Sequence, residues 1–167
     1  GADDYLIQDN IIMANFSRGI GGGGILHYGL SNNGTIENNK VLFNEAFFGG
    51  PASTDGGGIY IGGEVAPGGG GLTDGSGNVK INDNLIQGNL AGSGMGGGIR
   101  LAFVNGQDIN SNPADPNSWY GIEIYNNFIV NNVAAYMGGG ISLQDAAKVR
   151  IVHNTIANND STATALA

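Results

Sequence analysis

The sequence predicts an all-β fold: a parallel β-helix solenoid of about five coils, each with three short strands. Two repeats carry that prediction. Three glycines followed by isoleucine occur four times, at 22–25, 56–59, 96–99 and 138–141. Between them runs a second element, Ile-x-(Asp/Asn/His)-Asn-x-(Ile/Val)-x-x-Asn, in five copies of identical internal spacing. The third observation is local. Each unit holds short apolar runs of period 2 punctuated by Gly and Asn, the pattern of strands rather than helices.

The coils follow in order. The Asn-bearing element reads Ile7, Asn10, Ile12, Asn15 in the first copy and Ile36, Asn39, Val41, Asn44 in the second. It continues as Ile81, Asn84, Ile86, Asn89, then Ile124, Asn127, Ile129, Asn132, then Ile151, Asn154, Ile156, Asn159. Successive copies are 29, 45, 43 and 27 residues apart, so the variation lies in connecting segments. Coils stacked about 4.8 Å apart set equivalent side chains in columns. Two inward isoleucine/valine columns are expected from the Asn-bearing elements, and a third from Ile25, Ile59, Ile99 and Ile141. Each buried Ile contributes roughly 1.5–3 kcal/mol. The asparagines are expected at corners, in left-handed conformation, as two amide ladders. The glycine triplets are expected at the remaining corner, where a Cβ is excluded.

Composition narrows the function. Hydrophobic residues make up 41% of the 167, enough for a core, while charged residues make up only 12%. The net charge is −8, and the six basic residues are scattered, so nucleic-acid binding and adhesion to anionic membranes are not expected. Cysteine is absent, which removes disulfides, thiolate metal sites and thiol chemistry. No apolar run is long enough to span a membrane.

With its glycine-isoleucine and Ile-x-x-Asn elements, the chain resembles right-handed parallel β-helices of the pectin-lyase-like class over about residues 5–160. The alternation also resembles repeats of polymorphic outer-membrane proteins and autotransporter passengers. This resemblance implies an extracellular or bacterial cell-surface location. It does not choose among the lyases, hydrolases, epimerases, adhesins and phage spikes that share the fold. Enzymes of the class carry several Asp with Arg or Lys on one exposed strand face. Here the outward positions after the glycines are Leu26, Tyr60, Arg100 and Ser142, without an acid.

Other motifs yield to plainer readings. Residues 19–24 satisfy G-x-G-x-x-G, but a strand follows where the dinucleotide motif needs a helix. Lys80, Glu123 and Arg150 form one outward column, read as a surface ion ladder. Asp83 and His153, two coils apart, are too distant for one proton relay.

Insertions are expected at 45–55, 62–78 and 102–121; the last two are the loops on which function is expected, with Arg100 as a further ligand-binding residue. Trp119 and Tyr120 can stack on a sugar, although the plainer reading is that the pair anchors its loop to the β-helix wall. Asp108, Asn110, Asn112 and Asp115 resemble the opening of a calcium loop, although Pro113 and Trp119 break its pattern. The expectation is no cofactor, or calcium at that loop. One β-helix domain over 1–167 is expected, as a segment of a longer chain. Its open ends would meet their own continuation or another copy. The expected function is a non-catalytic surface, stalk, adhesin or filament module with glycan contacts on its edge loops. The alternatives are a polysaccharide lyase or epimerase and a self-stacking filament subunit.

Overall fold

The computed structural model describes residues 1–50 and 53–162. It is a parallel β-helix with four sheets running along the stack. The first sheet joins Leu6–Gln8, Gly34–Glu37, Val79–Asn82, Ile122–Tyr125 and Val149–Val152. The second joins Ile11–Met13, Lys40–Leu42, Leu85–Gln87, Phe128–Val130 and Thr155–Ala157. A fourth sheet holds the strands that follow the glycines: Ile25–Tyr28, Ile59–Gly62, Ile99–Ala102 and Ile141–Gln144. To these three the structure adds a third sheet of two-residue strands, from Phe16–Ser17 to Asp160–Ser161. It lies between the second asparagine column and the glycines, too short to announce itself by alternation.

The register sets like on like. Ile36, Ile81 and Ile124 pair in one column, Val41, Ile86 and Ile129 in another, and Ile59, Ile99 and Ile141 in a third. Apart from the half-buried Ile141, these residues have no solvent exposure and form the core. Both asparagine columns are hydrogen-bonded ladders. The Asn84 backbone N–H and side-chain amide both donate to Asn127 Oδ1, at 2.9 and 3.0 Å. The same amide also reaches the Ile36 carbonyl at 2.9 Å. Asn89 repeats the pattern with Asn132 and with the Val41 carbonyl.

One expectation about the corners is corrected. The left-handed residue is the one before each ladder asparagine, not the asparagine itself. Asp9, Asn38, Asp83, Asn126 and His153 have φ between 52° and 60°. That position turns the chain so that the next side chain points inward, and Asp, Asn and His tolerate it better than most residues. The mixed column therefore meets a backbone requirement.

Each glycine of a triplet answers a different demand. Gly96 has φ +70°. A Cβ on Gly97 would stand 2.4 Å from the Val133 carbonyl oxygen, against the third sheet. One on Gly98 would stand 2.6 Å from the Gly140 oxygen and 3.1 Å from the Asn132 amide, closing the seat of the second ladder.

Candidate functional site

Among the described residues, the outward side chains of the fourth sheet are in register as Leu26, Tyr60, Arg100 and Ser142. Arg100 nevertheless does not face solvent: it is 3% exposed. Asp55, at the end of the 45–55 insertion, accepts from Arg100 Nε at 3.1 Å. Nη1 donates to Ser142 Oγ at 2.8 Å, and Nη2 donates to Gln144 Oε1. The other Asp55 oxygen accepts the Met95 N–H at 2.9 Å. Tyr60 lies beside this pair, its phenol pushed up to about 12 by burial and then by the Asp55 charge. The ligand-binding expectation for Arg100 is therefore corrected: its guanidinium is spent on holding Asp55, Ser142 and Gln144 together. Residues 51 and 52 of the 45–55 insertion lie outside the described residues.

The 62–78 and 102–121 segments are bonded to each other. Gln107 N–H donates to the Thr73 carbonyl at 2.9 Å, and Ser76 N–H to the Val104 carbonyl at 3.1 Å. The calcium expectation is corrected here. Residues Gln107–Ser111 form a short helix, and the Asp108 carboxylate serves as a brace for its loop. It accepts from Gly106 N–H at 2.7 Å, Asn105 Nδ2 at 2.7 Å and Tyr120 N–H at 2.8 Å. Burial would raise the Asp108 carboxyl, but these bonds outweigh it and hold the group below the ordinary carboxylate range. Asp115 caps the next turn by accepting from Asn117 N–H. Asn110 Nδ2 points to Gln107 Oε1, and the Asn112 carbonyl accepts from Trp119 Nε1 at 2.8 Å. The four residues thus brace separate parts of the loop. No group of three or more His, Cys, Asp or Glu side chains is placed to hold a metal among the described residues.

Trp119 and Tyr120 are both half-buried. Tyr120 packs on the backbone of Gly75, and burial, then Asp108, raises its phenol. The Trp119 carbonyl accepts from Lys148 Nζ at 3.3 Å, and Lys148 lines a nearby concavity.

That concavity is a groove of about 870 Å³ on the outer face of the first sheet. Two outward rows floor it and run along the solenoid. One is Asn33, Asn78, Gly121 and Lys148; the other is Thr35, Lys80, Glu123 and Arg150. The second row is the column read as an ion ladder. Its pair Arg150–Glu123 is 3.9 Å apart and largely exposed, so it contributes little. Lys80 has no acid within ion-pair distance among the described residues. Sequence reasoning finds the row but misses the groove, because the Asn33-to-Lys148 row comes from connecting segments without a repeat signature.

His27 points into the solenoid and is 7% exposed. Its Nδ1 accepts from the Tyr5 hydroxyl at 2.7 Å, while Nε2 donates to the carbonyls of Ser76 at 2.8 Å and Gly29 at 3.0 Å. Burial lowers its pKa.

No helix among the described residues is long and apolar enough to cross a membrane. No curated protein matches the chain, and no solved structure matches it. A family model does match, over residues 68–166: NosD, described as periplasmic copper-binding protein. The match covers more than half of the chain, from the second insertion through the last two ladder asparagines, and NosD proteins are right-handed parallel β-helices. The chain belongs to the NosD family.

Proposed function

We propose that the chain is a non-catalytic β-helix module on the outer side of the bacterial inner membrane, a periplasmic or surface component that presents a binding face. The observation that carries this reading is that its sheltered acids and bases are already committed. Asp55 is held by Arg100, Asp108 by three N–H donors, and His27 by Tyr5 and two carbonyls. A proton-transfer catalyst needs a group free to exchange its proton with substrate. The repeat resemblance to outer-membrane and autotransporter passengers supports a stalk or adhesin role, and the edge loops with Trp119 supply glycan contacts.

The family's description raises copper. Copper favours imidazole, thioether and thiolate donors. There is no cysteine, and both ring nitrogens of His27 are occupied. Met95 and Met137 do occupy one position of adjacent coils, where Gly96 N–H bonds the Met137 carbonyl at 3.1 Å. No imidazole stands with them: His27 faces the solenoid interior, and His153 lies exposed at the corner between the first and second sheets. These residues do not fit a copper centre.

The test is incubation with polyuronates and neutral glycans, followed by assay for new reducing ends and unsaturated sugars. No product is expected. Turnover that survived purification and vanished on Asp55→Asn would replace the module with a lyase or related enzyme.

A further inference from the structure

We infer that the groove on the first sheet binds a linear acidic polysaccharide lying along the solenoid, with an acidic sugar alternating with a neutral one. The inference rests on the reading of the chain as a binding module.

Charge supplies the first argument. The chain carries −8 and only six basic residues, yet Lys80, Lys148 and Arg150 line this one groove against a single carboxylate, Glu123. A positive strip in an acidic protein attracts anions locally and excludes them elsewhere, so it selects position as well as sign. The Arg150 side chain is 70% exposed, and its ion pair with Glu123 is long, so the guanidinium retains donors for a ligand.

Geometry supplies the second argument. The groove runs across the strands from the second coil to the fifth, so a ligand lying in it meets one side chain per coil. Coils repeat about every 4.8 Å, close to the length of one pyranose in an extended chain. A sugar polymer therefore stays in step with the row Thr35, Lys80, Glu123, Arg150. That row reads neutral, positive, negative, positive. Carboxylates are favoured at the third and fifth coils, opposite Lys80 and Arg150. At the fourth coil the Glu123 carboxylate accepts sugar hydroxyl or amide N–H groups and repels a uronate. The parallel row adds the Asn78 amide and the Lys148 ammonium, while Gly121, without a side chain, leaves width for a ring. Asn33, bonded to Asp4 at 3.0 Å, ends the positive stretch at the second coil.

The experiment is titration calorimetry of the full chain with four probes: hyaluronan oligosaccharides, oligogalacturonate, neutral chitin oligosaccharides and inorganic phosphate. Hyaluronan, which alternates uronate and N-acetyl sugar, is expected to bind best. Lys80→Gln and Arg150→Gln should each weaken it about tenfold, with unchanged far-UV circular dichroism. Glu123→Gln should raise oligogalacturonate affinity several-fold and leave hyaluronan within about twofold. Equal binding of the neutral oligosaccharide, hyaluronan binding unaffected by both cation variants, or failure of hyaluronan to bind would overturn the inference. So would phosphate displacing the polymer at equal concentration, which would reduce the groove to a simple anion site. Product analysis on the same mixtures separates the two readings. Binding with cleavage would keep the groove and end the non-catalytic reading, whereas no binding and no cleavage would do the reverse.

Discussion

His27 has an ordinary imidazole's chemistry in a place that permits one protonation state. Two carbonyl oxygens face Nε2, which therefore carries the hydrogen, and the Tyr5 hydroxyl supplies Nδ1. Burial lowers the folded pKa below the value of 6.5 for the free side chain. Between those two values the unfolded chain binds more protons, so stability rises with pH across that window. The contribution is complete above 6.5 and is lost as pH falls through the lowered folded value. Thermal unfolding should shift downward as pH drops from about 7 to about 5, and His27→Gln should flatten that slope. Equal slopes in the two proteins would mean that another group carries the acid sensitivity. Nothing in the sequence announces this role. Tyr5 and Ser76 are separated from His27 by 22 and 49 residues, and only the coil closure brings them together.

At the scale of elements, the ladders are the most legible feature, because a fixed spacing can specify a column without knowledge of the loops between copies. Arg100 lies at the other extreme. Its row is readable from the glycine register, but its burial depends on Asp55, 45 residues away at the end of an insertion. The calcium expectation fails for a related reason: alternate oxygen donors resemble a metal loop until backbone N–H groups consume them, and Asp108 accepts two such bonds. The ladders permit a quantitative expectation. Asn89 is fully buried, and its Oδ1 accepts both the backbone N–H and the amide of Asn44, each at 3.0 Å. Asn89→Ala strands those donors and the Val41 carbonyl inside the solenoid, at about 1–3 kcal/mol for each unsatisfied group. A loss of about 3 kcal/mol or more in urea unfolding is expected. Asn15→Ala, at an exposed rung, should cost clearly less. Equal losses would show that stranded buried groups are not what makes these asparagines necessary.

For the whole molecule, a solenoid is a one-dimensional stack in which each coil is stabilised by its neighbours. Ile36, Ile81 and Ile124, flanked on both sides, have no exposure, while Ile151 in the fifth coil is 38% exposed and Ile156 is 48% exposed. The ladders also have a direction. Each asparagine donates toward the next coil, so among the described residues the column ends with acceptors at Asn10 and Asn15 and with backbone donors at Asn154 and Asn159. For this 167-residue chain, amide hydrogen exchange should therefore be slowest in Gly34–Glu37, Val79–Asn82 and Ile122–Tyr125. It should be faster in Leu6–Gln8 and Val149–Val152, which have one neighbouring strand among the described residues. Uniform slow exchange across all five coils would contradict a free five-coil stack and require a cover over its ends. Light scattering on the same sample would then decide the occupant. A mass that grows with concentration identifies a second copy seated head to tail, donors against acceptors, while a constant monomer mass places the cover within the chain itself.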